Sequence, residues 1–222
     1  MKTRVPHTVK NILMVSIIMY CTGCIFNKST DPSIDDSFEP VEEVSLVNGA
    51  EDVTVTVNND DNAYFSLTFS NITENNIIEN GTKEGWCIDW KRGINSNNGT
   101  YKGIRLFSTD NVEKWKKLNY LINIKDALMD DDASIGFREI QAAIWTLRAH
   151  PEFDLDKLAV EQLPNNMQAD GEPQFSYDKV SNILDTVDDG YSSFDFKSGT
   201  KFAVIAETPS DVQTIFTVVE KK

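Results

Sequence analysis

Two residues carry most of the chemical interest: Cys87, in Gly85-Trp86-Cys87-Ile88-Asp89-Trp90, and Gln141, in Gln141-Ala142-Ala143-Ile144-Trp145, 54 positions further on. The chain has 3 cysteines among its 222 residues. Cys21 and Cys24 fall at the end of an N-terminal export signal, so Cys87 is the one thiol left in the exported domain. In an oxidising compartment an unpaired thiol is a liability unless it is buried, reactive or already tied up covalently. Gln141 draws attention by its position. At roughly 100° per residue, Phe137, Gln141 and Trp145 share a helical stripe beside Ile140 and Ile144, so a carboxamide interrupts an apolar arc. Buried without partners, such a group costs about 1–3 kcal/mol. Either backbone groups satisfy it, or the arc is partly exposed, or the amide has been consumed in a bond. Arg148 falls on the same arc near the helix end, placed to snorkel outward.

A hydrolase built on Cys87 would need a base, and the exported chain offers one histidine, His150, before Pro151. Asp89 or Asp154 would then orient it. No peptidase-like signature surrounds Cys87, and a histidine at a helix C-terminus is more simply a favourable charge on the last turn. The plainest alternative makes Cys87 a small buried hydrophobe beside tryptophans.

The N-terminus sets the compartment. Lys2, Arg4 and Lys10 precede an apolar stretch from Ile12 to Tyr20, well short of the ~20 residues that span a bilayer, and this reads as a signal peptide. Cys21-Thr22-Gly23-Cys24 resembles the lipobox of bacterial lipoproteins. That resemblance implies cleavage after Gly23, a palmitate-type lipid on Cys24, and retention at the cell envelope, on the outer membrane or cell surface. The chain then divides into a signal peptide (1–23), a lipidated cysteine with a disordered acidic tether containing Pro32 and Pro40 (24–43), and one domain (44–222).

Composition narrows the function. The formal charge is −14, and it grows more negative once the three basic residues of the signal leave. Phosphate backbones and anionic lipid surfaces repel such a chain, so nucleic acid is not an expected partner. Neither Asp130-Asp131-Asp132 nor the Asn58–Asn62 cluster has the spacing of an EF-hand loop, and the density of His and Cys is too low for a transition-metal site. No glycine-rich phosphate loop is present. No cofactor is expected.

The elements that must position Cys87 and Gln141 change period along the chain. Val53, Val55 and Val57 alternate with polar residues, Asn58–Asn62 supplies a turn, and Tyr64–Phe69 alternates again, which predicts a hairpin. A loop rich in Asn, Gly and Lys is expected to lead to Cys87, followed by a strand at Tyr101–Ser108. Helical spacing then predicts helices over Val112–Ile124, Ile135–Ala149 and Tyr177–Val187, the last stopped by Asp188-Asp189-Gly190. Strands return at Lys201–Ala206 and Gln213–Val219, separated by a turn at Pro209. Strands at both ends and helices between them predict a single α+β domain. Its sheet should be mainly antiparallel and barrel-like, because the strands do not alternate with helices as βαβ units require.

On these residues the chain resembles the thioester domains of bacterial surface adhesins. Trp-Cys-Ile-Asp at 86–89 matches that family's Tyr-Cys-Ile-Asp-like segment, and Ile-Gln-Ala-Ala-Ile-Trp at 140–145 matches its Thr-Gln-x-Ala segment ahead of Ile-Trp. Leu118-Asn119-Tyr120-Leu121 adds further similarity between the two motifs. Ile140 stands where the family has threonine, and a lipobox replaces the wall-sorting tail of many members. The resemblance implies an internal thioester between the Cys87 sulfur and the Gln141 side-chain carbonyl, attacked once by a primary amine on a target. It implies an adhesin and not an enzyme, with an amine-bearing surface protein as partner. Trp86, Trp90 and Trp145 would keep water out, and Asp89 would orient the loop or help move a proton. A non-covalent binding or structural lipoprotein module with the same fold is the alternative, ahead of a cysteine hydrolase using Cys87 and His150.

Overall fold

The computed structural model describes residues 43–222. The expected signal peptide, Cys24 and nearly all of the tether lie outside the described residues. Among those described, no helix is long and apolar enough to cross a membrane.

The chain is built on alternation. In β2 (Val53–Asn58) the three valines are buried and the threonines are not, and β3 (Phe65–Ser70) buries Phe65, Leu67 and Phe69 in the same way. The two pair antiparallel. The turn between them is held by Asp60, whose Oδ1 accepts from the N–H groups of Asn62 and Ala63 at 2.7 and 3.2 Å, the short-range bonding that makes Asp a turn residue. On the outer face, threonine hydroxyls meet across strands, Thr56 to Thr100 at 3.1 Å and Thr68 to Thr82 at 2.8 Å.

Four more strands close the sheet on itself: β4 (Gly81–Cys87), β5 (Asn97–Ser108), β8 (Lys201–Glu207) and β9 (Ile215–Glu220). Their order, β5-β2-β3-β4-β9-β8, is completed by pairing of β8 back onto β5, so six antiparallel strands form a barrel. The short β1 (Ser45–Leu46) lies along the far end of β5. Closure depends on a bulge. The β2–β5 register shifts between Val53 opposite Ile104 and Val55 opposite Tyr101, and Gly103 takes φ 70° there. A positive φ suits glycine, and the extra residue bends β5 away from β2 toward β8. A small hairpin of β6 (Gln168–Ala169) and β7 (Glu172–Pro173) stands apart.

Three helices cover the barrel: α1 (Lys116–Asp131), α2 (Phe137–Arg148) and α3 (Tyr177–Gly190). Three expectations from the sequence need correction. The expected loop before Cys87 is strand β4, which pairs with β3 on one side and β9 on the other. The first helix does not begin at Val112, which is extended; a 3-10 turn over Glu113–Trp115 comes first and buries the Trp115 ring. The third helix runs through Gly190 instead of stopping before Asp188. Asp188 is exposed and its carboxylate accepts from Lys117 Nζ at 2.6 Å, while a Cβ at Gly190 would fall 2.1 Å from Tyr120 Oη. That glycine admits α1 close to α3; it is not a stop signal.

Candidate functional site

Cys87 is the last residue of β4, and its main chain is where the ladder runs out. The β3–β4 register ends at Phe65 opposite Gly85, two residues earlier. On the other side Ile88 N–H donates to Thr214 C=O at 3.1 Å, while Cys87 itself stands opposite Ile215. The Cys87 N–H and C=O therefore face the edge that β3 has vacated. The side chain of Gln141 fills that place: its Oε1 accepts from Cys87 N–H at 3.1 Å, and its Nε2 donates to Cys87 C=O at 2.8 Å. The carboxamide acts as one more peptide of the missing strand. Of the three fates open to a buried amide, satisfaction by backbone groups is the one observed.

The contact depends on where α2 is fastened. At its N-terminus Glu139 reaches back to Gly136 N–H at 2.9 Å with one carboxylate oxygen and accepts from Ser176 N–H at 3.0 Å with the other, tying the start of α2 to the start of α3. Beyond its C-terminus, His150 N–H donates to Ile88 C=O at 2.9 Å. With Gln141 on Cys87 and His150 on Ile88, the helix is bonded to consecutive residues of one segment. Arg148 is not simply extended to solvent, since its guanidinium lies 5.0 Å from the centre of the Trp115 ring.

Cys87 and Gln141 are both fully enclosed, at 0 % exposure. Burial pushes the thiol pKa well above its ordinary value, with the nearby Asp89 charge acting in the same direction and the Trp145 indole opposing both. The phenol of Tyr64 is likewise pushed up, first by burial and then by Cys87. It donates to Asn166 Oδ1 at 3.0 Å and meets the Trp145 ring edge-on at 5.7 Å.

Of the other residues singled out in the sequence, the structure gathers three near Cys87 and turns one away. Trp145 is fully buried beside the thiol. Asp89 organises the turn that follows: its Oδ1 accepts from the N–H groups of Lys91 and Arg92 at 2.9 and 3.0 Å, and its Oδ2 pairs with the Arg92 guanidinium at 3.0 Å. Trp90 donates its indole N–H to Pro151 C=O at 2.9 Å and packs edge-on against Phe153 at 5.1 Å, which in turn lies 5.4 Å from Trp145. Trp86 is different. Strand alternation puts it on the opposite face of β4 from Cys87, opposite Phe216 and 5.9 Å from Lys125 Nζ. Its indole fills the layer between barrel and helix α1.

A cleft of about 520 Å³ opens next to this region, and Tyr64, Phe65 and Trp90 belong to both. Much of its remaining lining is polar and includes Lys91, Gln162, Asn166 and Gln213. Sequence reasoning missed Gln162 and Asn166 because they come from 3-10 turns and irregular chain between α2 and α3, where no periodic pattern marks them. Among the described residues, no group of three or more His, Cys, Asp or Glu side chains is arranged to hold a metal ion.

No protein-family model matches the chain, and no curated protein matches it. Among solved structures it is similar to the N-terminal domain of the Streptococcus pyogenes pilus tip adhesin Cpa, with a TM-score of 0.47 and 9% sequence identity over 78% of this chain and 96% of that one, an alignment too loose to carry function across.

Proposed function

We propose that this is a surface adhesion module, lipid-anchored through Cys24, in which Cys87 and Gln141 form an internal thioester that captures a target amine. One observation carries the reading: the Gln141 carboxamide is held by two hydrogen bonds against the Cys87 residue itself, across 54 positions of sequence. Holding the carboxamide against the residue that carries the thiol lowers the entropic cost of bringing the two groups together.

The steps balance within the pair. The Cys87 sulfur adds to the Gln141 side-chain carbonyl carbon, the C–N bond breaks, the thiol proton leaves with the nitrogen, and ammonia is released. A primary amine later adds to the same carbon, the C–S bond breaks, and the products are a Gln141 amide and a restored Cys87 thiol. Both reactants of the first step belong to the chain, so ammonia alone has to pass between the enclosed pair and solvent. A hydrolase would need its thiol ionised and open to substrate, and the enclosed, protonated Cys87 suits that role poorly.

A non-covalent module is the second reading, favoured by the same hydrogen bonds. They pair the amide oxygen and one N–H with the main chain of Cys87, so Gln141 has a structural role even where no covalent bond forms. Intact mass decides between the two. The wild-type domain should be lighter than its sequence by one ammonia, and Cys87→Ala and Gln141→Ala should each show full mass. Methylamine should convert the light species into a methylamide. Full mass in the wild type, with Cys87 alkylated after unfolding, would sink the thioester and leave the non-covalent module.

A further inference from the structure

The cleft beside the reactive pair already holds an ammonium group, and that group belongs to the protein. Lys91 Nζ sits 3.8 Å from the centre of the Trp90 ring and donates to Gln162 Oε1 at 2.5 Å. An aromatic face together with a carboxamide oxygen is a good environment for a primary ammonium: the ring quadrupole attracts the charge and the oxygen takes one of its three protons. Lys91, Trp90 and Gln162 all line the cleft. Trp90 also connects it to the thiol through the Phe153 and Trp145 stack.

We infer that the Trp90 face and Gln162 Oε1 form a recognition subsite for a primary alkylammonium, and that Lys91 is its built-in occupant. The inference rests on the amine-capture reading and supplies the step before it, the docking of the amine as a cation. Lys91 is suited to leaving. Its main-chain N–H is fixed by Asp89 Oδ1 at 2.9 Å, so the backbone stays in place while the side chain swings out. The strongly acidic chain favours the approach of cations over anions. After docking, the amine must lose a proton before it can attack. Lys91 therefore acts as an intramolecular competitor that a target ammonium has to displace.

The test uses the Cys87→Ala chain, in which no thioester can form, so a failure here is separate from a failure of the mass experiment. The Trp90 indole N–H resonance is followed while n-pentylammonium, cadaverine or an Nα-acetyl-lysine amide is added, with n-pentanol as the neutral control. Trp90 is the most exposed of the four tryptophans at 8 %, and its ring responds directly to a cation on its face. Because a tethered competitor acts at an effective concentration on the order of millimolar, Lys91→Ala should tighten binding by roughly threefold or more. Trp90→Leu should abolish the response to the same probes, read on neighbouring amides. Saturation by cadaverine but not by the lysine amide would assign the subsite to free diamines, and the converse to protein lysines. No titration in Lys91→Ala, equal affinity with and without Lys91, or equal binding of n-pentanol would each overturn the subsite.

Discussion

At the scale of single residues, Cys87 and Gln141 are joined by hydrogen bonds distinct from any covalent link between them, of which the Oε1 contact outlasts release of ammonia and the Nε2 contact does not. This separates two effects that mutagenesis would otherwise confuse. Gln141→Leu removes both partners of the Cys87 peptide groups inside an enclosed region, and leaving buried polar groups unpaired should cost about 1–3 kcal/mol for each. Cys87→Ala keeps those bonds and, like Gln141→Leu, forgoes the thioester, so the difference between the two variants reports the hydrogen bonds. Urea unfolding of the two variants should therefore show the larger drop for Gln141→Leu. Equal losses would mean that the hydrogen bonds contribute little. The helical wheel made the position of Gln141 legible in the sequence, as a polar interruption of an apolar arc. The resemblance paired it with Cys87, but the bonding to the Cys87 main chain was not legible, because nothing local in Gly85–Trp90 says that β3 stops short of Cys87. The orientation of Trp86 was hidden for the same reason. Without recognising β4 as a strand, there was no alternation to put Trp86 and Cys87 on opposite faces.

Among the elements, the helices are fastened to the barrel by carboxamides used in a repeated way. Asn119 of α1 takes the part there that Gln141 takes in α2. Its Oδ1 accepts from Ala203 N–H at 3.0 Å and from the Thr109 hydroxyl at 3.1 Å, while its Nδ2 donates to Thr109 C=O at 3.2 Å. One turn later Asn123 bridges both the N–H and the C=O of Lys201. Asn119→Ala would leave Ala203 N–H unpaired in a buried strand, at a cost of about 1–3 kcal/mol. The amide of Ala203 should then lose hydrogen-exchange protection while that of Cys87 keeps it. Loss of protection at both would show that α1 and α2 are released together. The valine-rich hairpin and the helical runs were readable because their apolar periods are long and regular. Strand β4 was not, since Gly81-Thr82-Lys83-Glu84-Gly85 carries no large apolar residue before Trp86. Its inward space is filled from outside: a Cβ at Gly85 would lie 2.4 Å from Leu67 Cγ, so the neighbouring strand supplies the core atoms there. A strand whose packing is provided by its partner leaves little pattern in its own sequence.

For the whole molecule, the expected α+β class with an antiparallel, barrel-like sheet matches what is observed. Closure into six strands was less evident, because it depends on one bulge at Gly103 and on pairing between β5 and β8, about a hundred residues apart. Contacts of such long range are set by the assembled core and not by any local pattern. The reach of the Cys87–Gln141 pair has a consequence for the same reason. The chain from 87 to 141 contains all of β5, all of α1 and the first part of α2. A thioester would tie the ends of that 54-position segment, and by the chain-entropy relation for cross-links its restriction of the unfolded state is worth about 4 kcal/mol. Attack by an amine cuts the tie while leaving the fold intact. Capture should therefore lower the unfolding temperature by on the order of 10 °C, measurable by calorimetry before and after methylamine, and an unchanged temperature would deny the coupling. On this account the bond is also a staple, and a molecule that has caught its target is measurably easier to unfold than one still waiting.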